Sequence, residues 1–450
     1  MHQPNILLIV ADQMRPDEVG VATPNLNALA ARGVRFANCY SASPLCMPSR
    51  TSMVTGKYPS QHGVCGNMSE PVEAAERADA YPRHLQEADY QTAYIGKHHY
   101  LDRYNLNVDL TRDDAKVREF GYDHVCQVGD VVEESHNDDA YTKWLDKSDK
   151  LDEYRGELSQ AYFESMDPAE TVDGYICETA LSYIRDYDED RPLLLTVGIV
   201  GPHPPYWAPG KYATMFSPED VAPPKGVTDS GEIERIRVMR ARKLGKVAMI
   251  DDYVGRLLAT LDDTGMSENT VVVFTADHGD NIGDYGIVDK RFYYEQSVKV
   301  PLVMAGPGVP VDSRAPANIV KALASGIDLY PTLLDLAGVV DVHGDSRRFG
   351  TSLIEVLRGG QPRAKEVFSE LGTSMMVRDA NWKLVYDHEQ GGVQFLFNLR
   401  GDPDEMDNLA GDPQYRPVEA TLLENLLTHM VRLTRNTNTK EETNVQRVRV

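Results

Sequence analysis

The chain has 450 residues, of which 42% are hydrophobic and 26% are charged, and its formal net charge is −23. This length allows a large buried core, so we expect one large domain and a smaller one. The negative charge argues against nucleic acid and acidic membrane surfaces as partners, and no apolar run is long enough to span a bilayer. An anionic substrate would be repelled at long range, so its pocket would have to be locally positive.

The N-terminal segment and the cysteines indicate where the protein works. The apolar run 6–11 lies close to Met1 and lacks a basic leader and a small-residue cleavage site, so it predicts a first strand and not a signal peptide. Five cysteines are too few and too scattered for a disulfide scaffold, and their odd number suits a reducing compartment. We expect four of them to be small buried apolar residues: Cys39, Cys65, Cys126 and Cys177. We therefore predict a cytoplasmic protein.

The first 360 residues alternate between predicted strands and helices. The run 5–10 is continuously apolar, as expected of a parallel strand that is buried on both faces. Segment 23–32 predicts a helix with Thr23 as N-cap, Pro24 in the first position and Gly33 after its end. Further strands are predicted at 90–95, 193–200, 270–275 and 300–305, and further helices at 233–261 and 327–336. Strands separated by helices indicate an α/β sandwich around a large, mostly parallel sheet.

The pattern changes after about residue 360. Short antiparallel strands are predicted at 365–372, 374–378, 382–387 and 393–399, followed by a helix at 415–433 and a polar tail at 434–450 that is disordered or an oligomerisation arm. An acidic, irregular segment at 133–168 predicts a long surface insertion. We therefore expect a catalytic α/β domain over 1–360 and a smaller C-terminal α+β subdomain with an antiparallel sheet over 361–450.

Acidic residues follow two of the predicted strands at the point where each strand ends. Asp12 and Gln13 follow the first strand, and Asp277 and His278 follow the valine-rich strand. Because ligands of open α/β sheets gather outside the carboxyl ends of the strands, we expect these side chains to meet. Carboxylate and imidazole ligands suit a divalent cation, and Gln13 would add a neutral oxygen. Taken singly, each aspartate is about as often a cap of the following turn.

The segment Cys46-Met47-Pro48-Ser49-Arg50 lies where a helix apparently begins. Proline suits the first helical turn, because its missing N–H has no partner there. The helix N-terminus then offers free N–H groups and a partial positive charge beside the cysteine. The arginine in the same turn would hold an anion in place. The alternative is a buried structural cysteine in front of a helix.

The pattern Cys-x-Pro-Ser-Arg, continued here by Thr-Ser-Met-Val-Thr-Gly, resembles the motif of type I sulfatases of the alkaline phosphatase superfamily. In that family the cysteine is oxidised to formylglycine by a formylglycine-generating enzyme, and the aldehyde hydrate is the nucleophile. The resemblance implies an alkaline-phosphatase-like sandwich. It also implies that Cys46 becomes the nucleophile and a metal ligand, with Arg50 beside it.

Three further segments resemble sulfatase patterns and follow the order of the family. The first, Gly-Lys-x-His, implies that Lys97 binds sulfate oxygens and that His99 lies near the aldehyde hydrate. The second, Pro-His-x-Pro, implies that His203 faces the leaving group, and the third, Lys-x-x-x-Tyr-Glu, implies that Lys290 contacts the sulfate. A lone histidine or lysine is more often structural than catalytic. We expect two other histidines to be structural: His62 and His98.

The residue pairs at the two strand ends depart from the commonest sulfatase pattern. Many sulfatases carry Asp-Asp after the first strand and Asp-Asn after the later one, whereas this chain carries Asp12-Gln13 and Asp277-His278. That pattern resembles bacterial choline sulfatases and phosphonate monoester hydrolases. Calcium is the usual metal of the family, and an imidazole ligand makes manganese the alternative.

The resemblance implies a sulfatase that releases inorganic sulfate and an alcohol or phenol from a sulfate monoester. The formylglycine hydrate attacks sulfur, while the metal, Arg50, Lys97 and Lys290 hold the sulfuryl oxygens. His203 or Lys290 protonates the leaving oxygen. His99 then takes a proton from the second hydroxyl of the hydrate, and sulfate leaves.

Two other functions remain open from the sequence. One is a phosphonate monoester hydrolase or phosphodiesterase that uses the same aldehyde, and the other is an inactive sulfatase-like binding protein. We expect a small anionic ester as substrate, a formylglycine-generating enzyme as maturation partner, and a homodimer or homotetramer. No motif indicates whether the alcohol is an aryl, alkyl, choline or sugar group.

Overall fold

The computed structural model describes residues 3–101, 107–131, 136–160, 166–311, 318–339, 348–360 and 365–435. These residues form a large mixed sheet packed with helices, and a small antiparallel sheet near the C-terminus. The predicted α/β class, with a large mostly parallel sheet and a smaller antiparallel one, is thereby confirmed. Among the described helices, none combines the length and the apolar character needed to cross a bilayer.

The large sheet contains nine strands in the described part of the chain: β1 (Asn5–Asp12), β2 (Val34–Tyr40), β3 (Gln91–Gly96), β4 (His124–Gln127), β5 (Leu193–Pro202), β6 (Thr270–Ala276), β7 (Lys299–Val300), β8 (Leu302–Ala305) and β9 (Ile319–Ser325). Their order is β4-β3-β5-β1-β6-β8-β2-β7, with β9 paired to β2. The run β4-β3-β5-β1-β6 is parallel throughout, and β8 pairs antiparallel with β6 and β2.

The central strands are buried because their side chains are apolar on both faces. All residues from Ile6 to Asp12 in β1 are buried, as are all residues of β5 and β6. Strands of this kind need cover on both faces of the sheet, which is typical of parallel sheets in α/β proteins. The position of β1 between β5 and β6 therefore determines where its carboxyl end places its polar residues.

The helices are α1 (Pro24–Ala31), α2 (Cys46–Thr55), α3 (Pro59–His62), α4 (Ala74–Arg77), α5 (Tyr81–Glu87), α6 (Asp114–Arg118), α7 (Ala140–Lys147), α8 (Leu151–Gln160), α9 (Val172–Arg185), α10 (Ser230–Asp263), α11 (Glu295–Val298), α12 (Leu329–Ala337), α13 (Leu353–Leu357) and α14 (Arg416–Arg435). Every residue of α2 is buried. Gly56 ends α2 with φ 70°, a left-handed conformation that favours glycine. A Cβ added at this position would lie 2.9 Å from the Tyr330 side chain, so the C-terminal end of α2 requires glycine.

Several elements differ from their predictions. The segment predicted as an irregular insertion contains α7 and α8, so that prediction was wrong for residues 140–160. The side chain of Asp139 caps α7 by accepting the Thr142 N–H at 2.7 Å, and Tyr141 is buried inside. Strands β2, β4 and β9 were not predicted, because polar residues interrupt their apolar pattern. Thr23 precedes α1 as expected, but its hydroxyl accepts the N–H of Gly20 and not a helix N–H.

The small sheet consists of β10 (Val367–Leu371), β11 (Ser374–Arg378), β12 (Trp382–Asp387) and β13 (Gly392–Asn398) in that order, all antiparallel. These four strands and α14 confirm the predicted elements to within a few residues. The boundary at residue 360 stays a prediction, and the predicted tail lies outside the described residues after residue 435.

The small sheet supports a loop of the large domain that matters for the site. The hydroxyl of Tyr293 donates to the carbonyl of Ser374 at 2.8 Å, and Lys383 Nζ donates to the carbonyl of Tyr293 at 2.8 Å. Lys383 Nζ also lies 2.6 Å from a carboxylate oxygen of Glu405. The loop before α11, which carries Lys290, is therefore held from the C-terminal side.

Candidate active site

Four neighbouring strands deliver the predicted residues to one edge of the sheet. Strand β3 ends just before Lys97, β5 just before His203, and β6 just before Asp277, while Asp12 is the last residue of β1. These strands lie side by side in the order β3-β5-β1-β6 and run parallel. The sheet topology therefore gathers side chains that are distant in the sequence, as the strand-end argument predicts.

Cys46 opens α2 at this same edge and is fully buried. The N–H of Met47 donates to Oδ1 of Asn67 at 3.0 Å, which satisfies one of the free donors of the helix start. The hydroxyl of Ser49 donates to the carbonyl of Asp277 at 2.6 Å. The first turn of α2 is thus tied to the end of β6, and this contact holds position 46 over the strand ends.

Four residues form a compact group that we call the metal-side cluster: Asp12, Cys46, Asp277 and His278. One ligand atom from each lies within 4.8 Å of all the others, and all four residues are buried. The Cys46 Sγ is 3.1 Å from Nε2 of His278 and 3.9 Å from Oδ1 of Asp12. Nδ1 of His278 lies 2.8 Å from the carbonyl of Gly279, so it donates there and leaves Nε2 facing the cluster.

This donor set fits a divalent metal ion. It offers two buried carboxylates and one imidazole nitrogen around position 46, a combination that suits manganese and, through its oxygens, calcium. Gln13 lies beside the cluster, where its backbone N–H donates to Oδ1 of Asp277 at 3.1 Å. Its side-chain oxygen, which the sequence suggests as a ligand, accepts from Lys290 Nζ at 2.9 Å in this structure.

Arg50 binds the carboxylates of the cluster. Its Nε donates to Oδ2 of Asp277 at 2.7 Å, and Nη2 lies 3.3 Å from Oδ2 of Asp12. Its Nη1 donates to the carbonyl of Lys97 at 2.6 Å. The sequence predicts that this arginine holds an anion, and in the structure its donors hold the aspartates and the backbone after β3. Contacts of this kind fix the carboxylates in the orientation needed for a ligand set.

Three residues form a second group that we call the histidine-side cluster: Lys97, Asp130 and His203. Lys97 Nζ lies 2.6 Å from Asp130 and 2.6 Å from Asp12, so this ammonium joins the two clusters. Nδ1 of His203 lies 3.5 Å from Oδ1 of Asp130. Sequence reasoning missed Asp130, which follows the unpredicted strand β4. The signal available was the same one that identified Asp12, an acidic residue shortly after a strand.

The two remaining predicted residues lie on unusual backbone. His99 is buried and has φ 53°, two residues after Lys97. Lys290 is buried, and its neighbours Asp289 and Arg291 have φ 101° and 79°. Left-handed conformations at residues other than glycine are costly, and they persist where the surrounding structure imposes them. Their presence around Lys290 indicates that the loop is held in one shape.

The site is locally positive although the chain is strongly negative. Burial by itself would raise the pKa of Asp12, but Lys97 and other nearby cations hold it well below the usual range. Burial and Asp12 would also raise the pKa of the Cys46 thiol, and Lys290, His278 and Lys97 together hold it well below that of a free cysteine. The local positive potential required for an anionic substrate is therefore present.

The imidazole next to position 46 is affected in the opposite sense. Burial would lower the pKa of His278, but Asp277 and Cys46 raise it to about 9. The imidazole Nε2 lies 3.1 Å from the Cys46 sulfur, and each of the two groups shifts the pKa of the other toward its charged form. Asp277 and Cys46 thus stabilise a positive charge at this point in the site. This agrees with the proposal that the four residues bind a metal cation.

A further layer of buried and half-buried polar residues supports Gln13. Its Nε2 donates to the hydroxyl of Tyr206 at 3.3 Å, and that hydroxyl donates to Asp280 at 2.6 Å. Lys243 of α10 lies 3.1 Å from the same carboxylate. Sequence reasoning missed Tyr206 and Lys243, because no motif marks them. The two histidines that were expected to be structural lie in the core. His62 Nε2 lies 3.0 Å from the Ser52 hydroxyl oxygen. The His98 ring stacks on the Tyr100 ring, with 5.3 Å between the ring centroids.

Comparisons with known proteins agree with this geometry. The family model "Sulfatase" matches residues 4–339, and the model "N-sulphoglucosamine sulphohydrolase, C-terminal" matches residues 283–432. The chain is 30% identical to a choline-sulfatase of Rhizobium meliloti, over 93% of this chain and 85% of that protein. It is 28% identical to the multifunctional alkaline phosphatase superfamily protein PehA of Trinickia caryophylli, over 92% of this chain and 93% of that protein.

Solved structures show the same fold. The phosphonate monoester hydrolase SpPMH of Silicibacter pomeroyi superposes with a TM-score of 0.79 over 96% of each chain, at 24% sequence identity. At this identity the likeness concerns the fold alone. The alkaline-phosphatase-like sandwich expected from the sequence is confirmed.

Proposed function

The chain belongs to the sulfatase family, and on that basis we propose that it cleaves sulfate monoesters through a formylglycine at position 46. Family membership makes it a sulfuric ester hydrolase, and the formylglycine mechanism is general to the family. The observation that carries the proposal is the placement of Cys46. It is the first residue of α2, and its sulfur lies within 4.8 Å of ligand atoms of Asp12, Asp277 and His278. The alternative of an inactive binding protein gains no support from a site this complete.

The charged residues around position 46 have defined tasks in this proposal. Lys97 and Lys290 are buried ammonium groups, and both lower the pKa of the unmodified thiol. The same positive charge would stabilise the negative charge that develops on the sulfuryl oxygens in the transition state. His99, two residues after Lys97, would take the proton that must leave the hydrate before sulfate is released.

Asp12, Asp277 and His278 would hold the divalent metal, with residue 46 as a further ligand. When bound, such an ion supplies Lewis acid chemistry toward the sulfuryl oxygens. Arg50 keeps both carboxylates in place, and the Nδ1 contact of His278 with the Gly279 carbonyl keeps Nε2 directed inward. The imidazole favours manganese over calcium in this set.

His203 is the residue that we propose as the general acid. Its Nδ1 lies 2.9 Å from the carbonyl of Pro204 and 3.5 Å from Asp130, so this nitrogen faces the protein. Nε2 is then the nitrogen that would deliver the proton, which requires an imidazole protonated on both nitrogens. Burial lowers the pKa of His203, and Asp130 acts in the opposite direction. A proton delivered there matters most when the leaving alkoxide is a strong base.

The test is the release of inorganic sulfate from an aryl sulfate. We expect steady turnover by protein produced together with a formylglycine-generating enzyme, and a large loss for protein produced without one. Equal turnover by both preparations, each checked for residual modification, would contradict the proposed nucleophile. The maturation partner, a cytoplasmic location and a homo-oligomeric state remain predictions from the sequence.

A phosphonate monoester hydrolase or phosphodiesterase is the second candidate. It is favoured by the pairs Asp12-Gln13 and Asp277-His278, which differ from the commonest sulfatase pattern. The ratio of kcat/KM for matched aryl sulfate and aryl phosphonate esters separates the two activities. Because one relative is named a choline-sulfatase, choline sulfate belongs in the same substrate panel.

A further inference from the structure

Two helices hold the segment that carries His203. Asp173 lies in the first turn of α9, and its Oδ1 accepts the N–H of Gly201 at 2.7 Å. Lys246 lies in α10, and its Nζ donates to the carbonyl of His203 at 3.0 Å. Lys246 Nζ and Asp173 Oδ2 are 3.7 Å apart. These two side chains, which we call the clamp, thus bind the backbone immediately before and at His203.

The packing around Gly201 shows how closely the clamp fits the backbone. A Cβ added at this glycine would lie 2.6 Å from Asp173 Oδ2, 2.8 Å from Lys246 Cε and 2.9 Å from Ile250 Cδ1. Any larger residue would therefore push the clamp side chains away from the segment. The position requires glycine because of this close approach.

The charge and burial of the clamp indicate a role other than stability. Asp173 is 1% exposed and Lys246 is 5% exposed, so both charges have left water. A buried ion pair is weak evidence for stability, because its desolvation penalty rivals its Coulombic gain. Oδ2 of Asp173 has no hydrogen-bond partner among the described residues. The two charged groups are therefore not placed for the best contact with each other. Instead, each makes a hydrogen bond to the 201–203 backbone, at 2.7 Å for Asp173 and 3.0 Å for Lys246.

We propose that Asp173 and Lys246 are positioning residues that aim the imidazole of His203 at the leaving oxygen. This inference rests on the proposed function, in which His203 is the general acid. The clamp fixes the backbone N–H of Gly201 and the backbone carbonyl of His203. A shift of the 201–203 backbone would therefore move Nε2 of His203 by a similar distance. A misplacement of ~1 Å in such a site can cost ~10²-fold in rate.

The test uses a series of aryl sulfates whose phenols span a range of pKa values. The slope of log kcat/KM against leaving-group pKa measures how much the leaving oxygen depends on a proton donor. We expect His203→Ala to steepen the slope, and Lys246→Met and Asp173→Ala to steepen it in the same direction. The clamp variants should lose ~10-fold or more on the poorest leaving group and little on the best, because complete loss of general acid catalysis costs ~10²–10⁴-fold and a displaced acid keeps part of it.

A matched control lies on the same two helices. Arg256 of α10 contacts Glu178 of α9 through Nη1 and Oε1 at 2.5 Å, at the surface and away from the 201–203 segment. We expect Arg256→Met to leave the slope unchanged. Lys246→Arg keeps the charge and the donor, so its slope should return toward the wild-type value. The thermal midpoint of each variant, measured alongside, separates loss of fold from loss of positioning.

The outcomes separate this inference from the proposed function. If His203→Ala does not change the slope, the general-acid role itself is wrong. If His203→Ala steepens the slope while both clamp variants lower kcat/KM equally for all esters, or not at all, the positioning role is overturned. A Lys246→Arg enzyme as steep as Lys246→Met would also contradict a role through the His203 carbonyl. Should Lys246→Met fail to fold, Asp173→Ala tests the clamp with the same two outcomes.

Discussion

The metal-side cluster and the histidine-side cluster meet in one site but are built differently. The metal-side cluster stands directly on strand ends and on the first turn of α2, and one ligand atom from each member lies within 4.8 Å of the others. The histidine-side cluster stands on loops after β3, β4 and β5, and His203 depends on helices α9 and α10 for its position. The comparison teaches that the sheet fixes the reacting centre, whereas helix packing fixes the side that meets the leaving group.

The largest effect is expected at position 46 of the metal-side cluster. Replacement Cys46→Ala should abolish turnover, because the nucleophile is lost, while the fold is retained. Cys46→Ser should allow at most a single turnover, because a serine ester lacks the second hydroxyl that releases sulfate. The measurements are steady-state sulfate release and the thermal midpoint. Sustained turnover by Cys46→Ala would show that position 46 is not the nucleophile, and sustained turnover by Cys46→Ser would contradict release through the second hydroxyl of the hydrate.

Metal removal is expected to have the next largest effect and to act on the metal-side cluster alone. Chelation should eliminate turnover, and adding back manganese or calcium one at a time should identify the ion. The thermal midpoint should fall on chelation and recover on addition, because an ion that binds only the folded state stabilises it. Unchanged activity and midpoint after exhaustive chelation would contradict the metal assignment for Asp12, Asp277 and His278.

Asp130→Asn probes the histidine-side cluster and should have an intermediate effect. The change removes a carboxylate that lies 2.6 Å from Lys97 Nζ and 3.5 Å from His203 Nδ1, so the ammonium and the imidazole each lose one orienting partner. Lys97 keeps its contact with Asp12, and we expect a loss of ~10–100-fold in kcat, which reaches at most the lower end of the ~10²–10⁴-fold contribution of one general acid or base. Asp113→Asn, at an exposed pair with Lys116, is the control and should leave kcat unchanged. A wild-type kcat for Asp130→Asn would remove this residue from the site.

The smallest effect on turnover is expected from the small C-terminal sheet. Lys383→Met removes the cation that buried Glu405 shares with half-buried Glu295, and which lies 2.6 and 2.8 Å from them. Breaking a buried pair in this way costs ~3–5 kcal/mol of stability, to be measured by urea unfolding, while kcat should change only a few-fold. Lys225→Met removes a surface pair with Asp404 and should cost ~0–1 kcal/mol. Equal stabilities of the two variants would contradict the view that Lys383 holds the loop of Lys290.

Sequence reasoning succeeded where one local signal determines a residue's place. A strand end in a parallel sheet places Asp12 and Asp277 at the same edge, and the motif around Cys46 places it at a helix start. It failed where placement depends on packing between distant elements. Lys246 lies in the middle of a 34-residue helix, and nothing local distinguishes it from a lysine on the helix surface. Asp130 was missed because strand β4 has only four residues.

Mass spectrometry of the tryptic peptide 36–50 from protein made in its native host tests the central claim most directly. This peptide contains Cys46 and also Cys39, which serves as an internal control because it is a buried cysteine of β2 outside the site. The account predicts that Cys39 is alkylated normally and that position 46 has lost its sulfur and carries an aldehyde. Full alkylation at both positions in catalytically active protein would contradict it.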